Sequence, residues 1–203
     1  MKQIVDGLRG QCEVLAEREQ RPDLHMVSIA VGSLRSALTW LKSETGHVQL
    51  TLLSAVDWLE DGEFELSYLL TDPEKHVTLI VGCRIPREGA SVPTVWDLWP
   101  QAVTYEQELS EMFGIDFEGS PRSGVAFILE SWSDMPPMRR DFDTAAYSAE
   151  HYEDLPGRTT IDARTRVGQE SQEMGYTSGK DGVSSKDGTK DKDGTGDKDE
   201  TNE

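Results

Sequence analysis

Apolar residues recur at helical spacing near the N-terminus and again after Ser33. Ile4, Leu8, Val14 and Leu15 lie among charged residues in a segment that can form an amphipathic helix, with Arg21-Pro22 as its end. His25 to Val31 reads as a strand. Ser33 can cap a second helix, whose apolar residues Leu34, Ala37, Leu38 and Leu41 share one face, and Gly46 supplies its stop. His47–Asp57, Glu63–Leu70 and His76–Arg84 are β-prone runs separated by Glu60-Asp61-Gly62 and by Asp72-Pro73-Glu74-Lys75, both of turn chemistry. These runs predict an antiparallel meander. A helix, strand, helix and meander in that order predict an α+β fold with helices packed on one face of a mainly antiparallel sheet.

Beyond Arg84 the pattern changes. Pro86, Pro93, Pro100, Pro121, Pro136, Pro137 and Pro156 interrupt the chain and leave room for one convincing helix. Thr104 and Gln107 have the spacing of a capping box, so the helix is expected to start there. Tyr105, Leu109, Met112 and Phe113 then share a face, with Glu106, Gln107, Ser110 and Glu111 turned elsewhere and Gly114 at the end. The remainder reads as extended chain carrying Trp96, Trp99, Phe117, Phe127, Trp132 and Phe142. Large apolar groups on a segment without its own core call for a partner protein to lie on. The predicted organisation is an α+β domain over 1–117, an extended partner-docking segment over 118–160 and a disordered tail over 161–203.

The tail repeats every six residues, with Lys-Asp-Gly at Lys180, Lys186 and Lys192 and Lys-Asp-Glu at Lys198. It has almost no apolar residues to offset ordering entropy. Asp191, Asp193, Gly194, Asp197 and Glu200 match the spacing of a calcium loop. Thr189, however, stands where the first acidic ligand belongs, and no apolar helix flanks it, so a solubilising tail is the better reading.

The net charge is −18. From Lys180 to Glu203 there are five lysines and eight carboxylates, so the tail supplies only about −3 and the body is itself acidic. An acidic surface disfavours binding nucleic acid through phosphates. It suits either a solvated, self-repelling surface or docking onto a basic partner. Cys12 and Cys83 form no CxxC pair or Cys/His cluster, which excludes a sequence argument for zinc or iron–sulfur ligation and favours a reducing cytoplasmic setting. Residues 1–10 lack the apolar core of a signal peptide, and stretches such as Val77–Cys83 are far shorter than the roughly 20 residues a membrane helix needs. Membrane association is therefore expected to run through partners.

Candidate chemistry is sparse. Glu106, Glu108 and Glu111 on one short helix allow an acid–base or metal reading, since Glu108 and Glu111 are one turn apart, but no histidine accompanies them, and a solvated face or salt-bridge partners is the better reading. Arg139 and Arg140 follow a Pro136-Pro137 turn and could clamp Glu106, Glu111 or an acidic group on a partner; solvated surface arginines are the alternative. His25, His47, His76 and His151 share no triad or metal spacing, and no GxSxG, P-loop or GxGxxG pattern occurs.

Several segments, in order, resemble one family. Pro93-Thr94-Val95-Trp96-Asp97-Leu98-Trp99-Pro100 is followed by Tyr105-Glu106-Gln107-Glu108-Leu109-Ser110-Glu111-Met112-Phe113-Gly114-Ile115. Phe117-Glu118-Gly119-Ser120-Pro121 and Pro137-Met138-Arg139-Arg140-Asp141-Phe142 come after. Together they resemble the C subunit of NADH-quinone oxidoreductase, respiratory complex I, and the related subunits of F420H2 dehydrogenase and energy-converting hydrogenases. Gln107 and Ser120 stand where that family has arginine and histidine, and Ser123-Gly124-Val125-Ala126 departs from its Leu-Arg-Arg. The resemblance implies a non-catalytic peripheral-arm subunit on the cytoplasmic side of the membrane, holding no cofactor of its own. Iron–sulfur clusters and quinone, or a nickel-iron site, would belong to partner subunits. The implied partners are the hydrogenase-like large subunit and the iron–sulfur subunits of the peripheral arm, with the membrane arm reached indirectly. Glu106, Glu108, Phe113, Gly114, Arg139, Arg140, Asp141 and Phe142 are the implied contacts between subunits. The competing reading is a stand-alone enzyme built on the three glutamates.

Overall fold

Strand β4 (Glu63–Asp72) alternates strictly between buried and half-exposed residues, so one side of its sheet is core and the other is not. The chain is seen here in a computed structural model that describes residues 2–153. β4 pairs antiparallel with β3 (Gln49–Trp58) and with β5 (Val77–Pro86), which is the expected meander. β2 (Leu24–Ile29) joins β5 in parallel, and β1 (Val14–Arg21) pairs antiparallel with β2, giving the order β1-β2-β5-β4-β3.

The register brings Val27, Val81, Tyr68 and Leu53 side by side across the sheet, and all are buried. Helix α1 (Lys2–Gln11) contributes Val5 and Leu8 to this core, and α2 (Leu34–Glu44) contributes Leu34, Ala37, Leu38 and Leu41. The spacing of those α2 residues is the one the sequence displays. Fully burying each of these leucine and valine side chains contributes about 1.5–3 kcal/mol. Gly7 lets α1 approach α2 closely, since a Cβ there would lie 2.5 Å from the Trp40 ring. Helix α3 (Ala102–Phe113) lies along β3, and a two-stranded parallel pair, β6 (Ser91–Pro93) with β7 (Asp116–Glu118), brackets it. The result is an α+β fold with a mainly antiparallel sheet.

Several local expectations are corrected. The first helix stops at Gln11, and Val14 and Leu15 belong to a strand whose hydrogen-bond ladder with β2 overrides the helix-forming Glu-Arg-Glu-Gln run. Pro22 therefore turns a hairpin instead of ending a helix. Ser33 sits at the N-cap of α2, but its hydroxyl makes no cap bond. α3 begins at Ala102, earlier than Thr104, and no capping box forms because Gln107 bonds elsewhere. A further helix, α4 (Thr144–His151), follows where extended chain was expected. The Asp143 carboxylate caps it by accepting the N–H groups of Ala145 and Ala146. The tail repeats and the calcium-like spacing lie outside the described residues.

Candidate functional site

The Trp96–Gly114 block serves first as a clasp between elements. Trp99 Nε1 donates to Val48 O (2.8 Å), Gln101 Nε2 to Leu50 O (3.3 Å) and Tyr105 Oη to Thr51 O (2.9 Å). These donors satisfy carbonyls along the β3 edge that no strand pairs, which blunts an otherwise open sheet edge. On the other side, Arg35 of α2 donates to Thr94 O and pairs with Asp97 at 2.6 Å, while Lys42 donates to Leu98 O and lies over the Trp99 ring. The Arg35 hydrogen bond holds the Asp97 carboxyl below its ordinary range.

The three glutamates of α3 do not converge. Glu106 is buried, accepting from Thr94 Oγ1 at 2.6 Å and Val95 N at 2.8 Å. Glu111 instead accepts the backbone N–H groups of Phe127, Ile128 and Leu129. Partial burial pushes the Glu111 carboxyl up, but those backbone bonds outweigh it and leave it lowered. Glu108 is half-buried, with no such partner among the hydrogen bonds of the described residues. Glu106 and Gln107, expected to face away from the core, are both buried. Gln107 reaches the Val125 and Ala126 carbonyls and accepts from Arg122. Among the described residues, no group of three His, Cys, Asp or Glu side chains could hold a metal ion. Burial pushes the Tyr68 phenol well above its ordinary value, with Cys83 and Glu106 adding to it, and raises the Cys83 thiol to about 12.

The two arginines also differ from expectation, because Glu106 and Glu111 are already satisfied. Arg139 Nε donates to Phe113 O at 2.7 Å, beside Gly114, whose φ is +75°. A Cβ at Gly114 would lie 2.9 Å from Arg139 Nη2. Arg140 pairs with Glu60, and its backbone N–H donates to Asp57 Oδ2 at 3.0 Å. Asp57 is buried and paired with Arg87, which also reaches Asp141. The Arg87 hydrogen bond lowers the Asp141 carboxyl, and Arg140 does the same for Glu60. Phe113 is buried edge-on against Phe64, at 5.9 Å between ring centres. The structure thus engages Glu106, Phe113, Arg139, Arg140 and Asp141 within the chain. Sequence reasoning missed Asp57, Glu60 and Arg87. The signal for Asp57 was a charged residue at a core position of an alternating strand.

Residues 118–152 run largely without regular structure until α4. They are tied down at Glu111 and at the arginine clasp. Trp99 and Phe117, expected to await a partner, are buried in the chain's own core. Trp132, Phe142, Tyr147 and His151 pack on one another, with Trp132 and Tyr147 at 4.9 Å and Tyr147 stacked on His151 at 4.0 Å. Val125, Ile128, Met135, Met138 and Tyr152 remain exposed on the arm.

A family model described as the 30 kDa subunit of respiratory-chain NADH dehydrogenase matches residues 27–148. The chain belongs to that family. The NADH-quinone oxidoreductase C subunit of Novosphingobium aromaticivorans is 28% identical over 172 residues, covering 84% of this chain and 54% of that protein. The C/D subunit of the same enzyme from Pseudomonas fluorescens is 31% identical over 136 residues, 62% of this chain and 23% of that protein. The chain therefore spans about half the length of the first relative and about a quarter of the second. Among solved structures, a chain of the membrane-bound sulfane sulfur reductase, an archaeal respiratory membrane complex, superposes with a TM-score of 0.68 at 29% identity, over 80% of this chain and 96% of that one. The trypsin-resistant fragment of Nqo5 shares the fold, with a TM-score of 0.52 at 23% identity, over 59% of this chain and 96% of that one. Family membership makes the chain a subunit of the complex I-like type. Among the described residues no helix is long and apolar enough to cross a membrane.

Proposed function

We propose that the chain is a non-catalytic peripheral-arm subunit, on the cytoplasmic side of the membrane, that docks on the large hydrogenase-like subunit through residues 118–152. There it supports electron transfer from a reduced donor, NADH, ferredoxin or F420H2, towards quinone. The carrying observation is the arm itself. It is held in place by Glu111 and the Asp57–Arg87 clasp, yet presents Val125, Ile128, Met135, Met138 and Tyr152 outward. Exposed apolar groups on a fastened segment are the signature of a surface completed by a partner. The iron–sulfur clusters and the quinone site would belong to companion subunits, as Glu106 and Glu111 of α3 are committed to internal hydrogen bonds. Glu108, Gly114, Arg140 and Phe142 would border the contact, with Glu106, Phe113, Arg139 and Asp141 shaping it from within. The similarity to the archaeal sulfane sulfur reductase chain favours a second reading, an equivalent subunit in a membrane complex whose acceptor is not quinone.

The test is isolation of the native chain from gently solubilised membranes, with its stoichiometric companions identified by mass spectrometry. Hydrogenase-like and iron–sulfur subunits are expected, and their identity separates the two readings. Recovery of the chain alone overturns both.

A further inference from the structure

The arm carries one feature that apolar docking does not use. An open cleft of about 570 Å³ lies between the 128–134 turn and the end of α4. Trp132, Tyr147 and Tyr152 line it with aromatic surface, and Glu130 and Asp134 line it with carboxylates. Its other titratable residue is His151, stacked on Tyr147, and among the described residues no lysine or arginine lines it. Tyr152 is 68% exposed, so its ring is available to an incoming group. Burial raises the Tyr147 phenol, and Asp134 and Glu150 raise it further, which reports negative potential at the same wall.

Aromatic faces carry negative quadrupoles and attract cations, most strongly when carboxylates add to the field. We infer that this cleft receives a cationic side chain, an arginine or lysine, from the protein on which the arm docks. The inference rests on the docking reading above and names the chemistry of one contact within it. An aromatic wall alone would accept any flat apolar group. The carboxylates at its rim restrict the choice, since a neutral or anionic side chain would leave Glu130 and Asp134 partly desolvated without a counter-charge. Arginine fits best, because its guanidinium stacks on a ring face while its N–H groups reach a carboxylate.

The experiment uses the full chain and N-acetyl-arginine methylamide as probe, with the citrulline analogue as neutral isostere. Binding is read from the Trp132 indole N–H resonance in two-dimensional NMR, assigned with a Trp132→Phe chain. Saturable shifts are expected with the arginine probe, with the citrulline probe weaker by about tenfold, the scale of one cation–π contact with charge support. Asp134→Asn, which keeps the shape of the cleft, should weaken arginine binding severalfold, and Tyr147→Leu should abolish it. Equal binding of the two probes, no saturable shift, or unchanged affinity in Asp134→Asn overturns the inference. Recovery of wild-type chain with its companions alongside any of those results rejects the cation site alone. A wild-type chain that recovers no companions rejects the docking reading on which it rests.

Discussion

Asp57 and Arg87 form a two-pronged ion pair, 3.0 Å from Nε to Oδ1 and 3.2 Å from Nη2 to Oδ2, that fastens the C-terminal arm to the sheet. Asp57 lies on the core side of β3, with its side chain only 1% exposed. The same carboxylate accepts the Arg140 N–H, and Arg87 extends to Asp141, so one buried charge pair holds both ends of the Arg140-Asp141 step. Removing one partner leaves the other charge buried without a counter-ion. Arg87→Met is therefore expected to cost about 3–5 kcal/mol of stability. It should also release residues 137–142, seen as faster amide exchange there than in β4 and β5. Uniform acceleration across the sheet would mean that the pair holds the core and not the arm.

Glu111 carries the other attachment, binding three successive backbone N–H groups of the arm. Glu111→Ala is expected to cost about 1–3 kcal/mol, the scale of leaving such groups unsatisfied, with the loss of protection confined to residues 127–129. The pH dependence follows from the direction of its shift. A carboxyl lowered in the folded chain contributes stability that is fully present above its ordinary value of 4.5 and is lost as pH falls through the lower folded value. Glu60, Asp72, Asp97 and Asp141 are lowered too, so their contributions fade over the same acidic range. Acid titration of wild type against Glu111→Gln, followed by exchange at 127–129, should show the wild-type arm loosening as pH falls, and the variant, already looser at neutral pH, lacking that step.

The edge of β3 gives a third expectation. Trp99, Gln101 and Tyr105 each donate to a carbonyl that would otherwise face solvent or another strand. Replacing Gln101 with Leu and Tyr105 with Phe removes two donors while keeping bulk. The double variant should remain folded but self-associate through the freed edge, measurable by sedimentation velocity. A strictly monomeric double variant would mean that the covering helix, and not its donors, protects the edge.

These relationships explain which parts were legible in the sequence. The meander and α2 were readable because their apolar spacing is local: Leu34, Ala37, Leu38 and Leu41 declare a helix face without reference to anything else. β1 was not, since its polar run takes strand form only by pairing with β2, a tertiary fact. The same holds at the site. Arg139 and Arg140 stood out as arginines, but their partners, Phe113 O, Glu60 and Asp57, are set by how the arm returns to the sheet. Of the three glutamates that allowed an acid–base or metal reading, Glu106 and Glu111 are both committed within the chain. One faces the Thr94 turn and the other the Phe127–Leu129 backbone, a divergence that spacing alone does not encode.

His47 supplies the last prediction, because its burial couples stability to pH well above the carboxylate range. The ring is fully buried, with Nδ1 2.8 Å from Thr45 Oγ1 and no partner at Nε2 among the described residues. Burial lowers its pKa from 6.5, and Lys75 adds to this against the opposing pull of Asp72. With the folded value below the unfolded one, the unfolded chain binds the proton more readily as pH falls past 6.5. The neutral ring's contribution is thus complete above 6.5 and shrinks down to the folded pKa, where the loss levels off. Urea unfolding at a series of pH values between 7.5 and 5.5 should show stability falling in wild type and a shallower slope in His47→Gln. Comparing slopes separates the titration from any packing cost of the substitution, which shifts both ends of the series equally. Identical slopes would assign the pH dependence to another group.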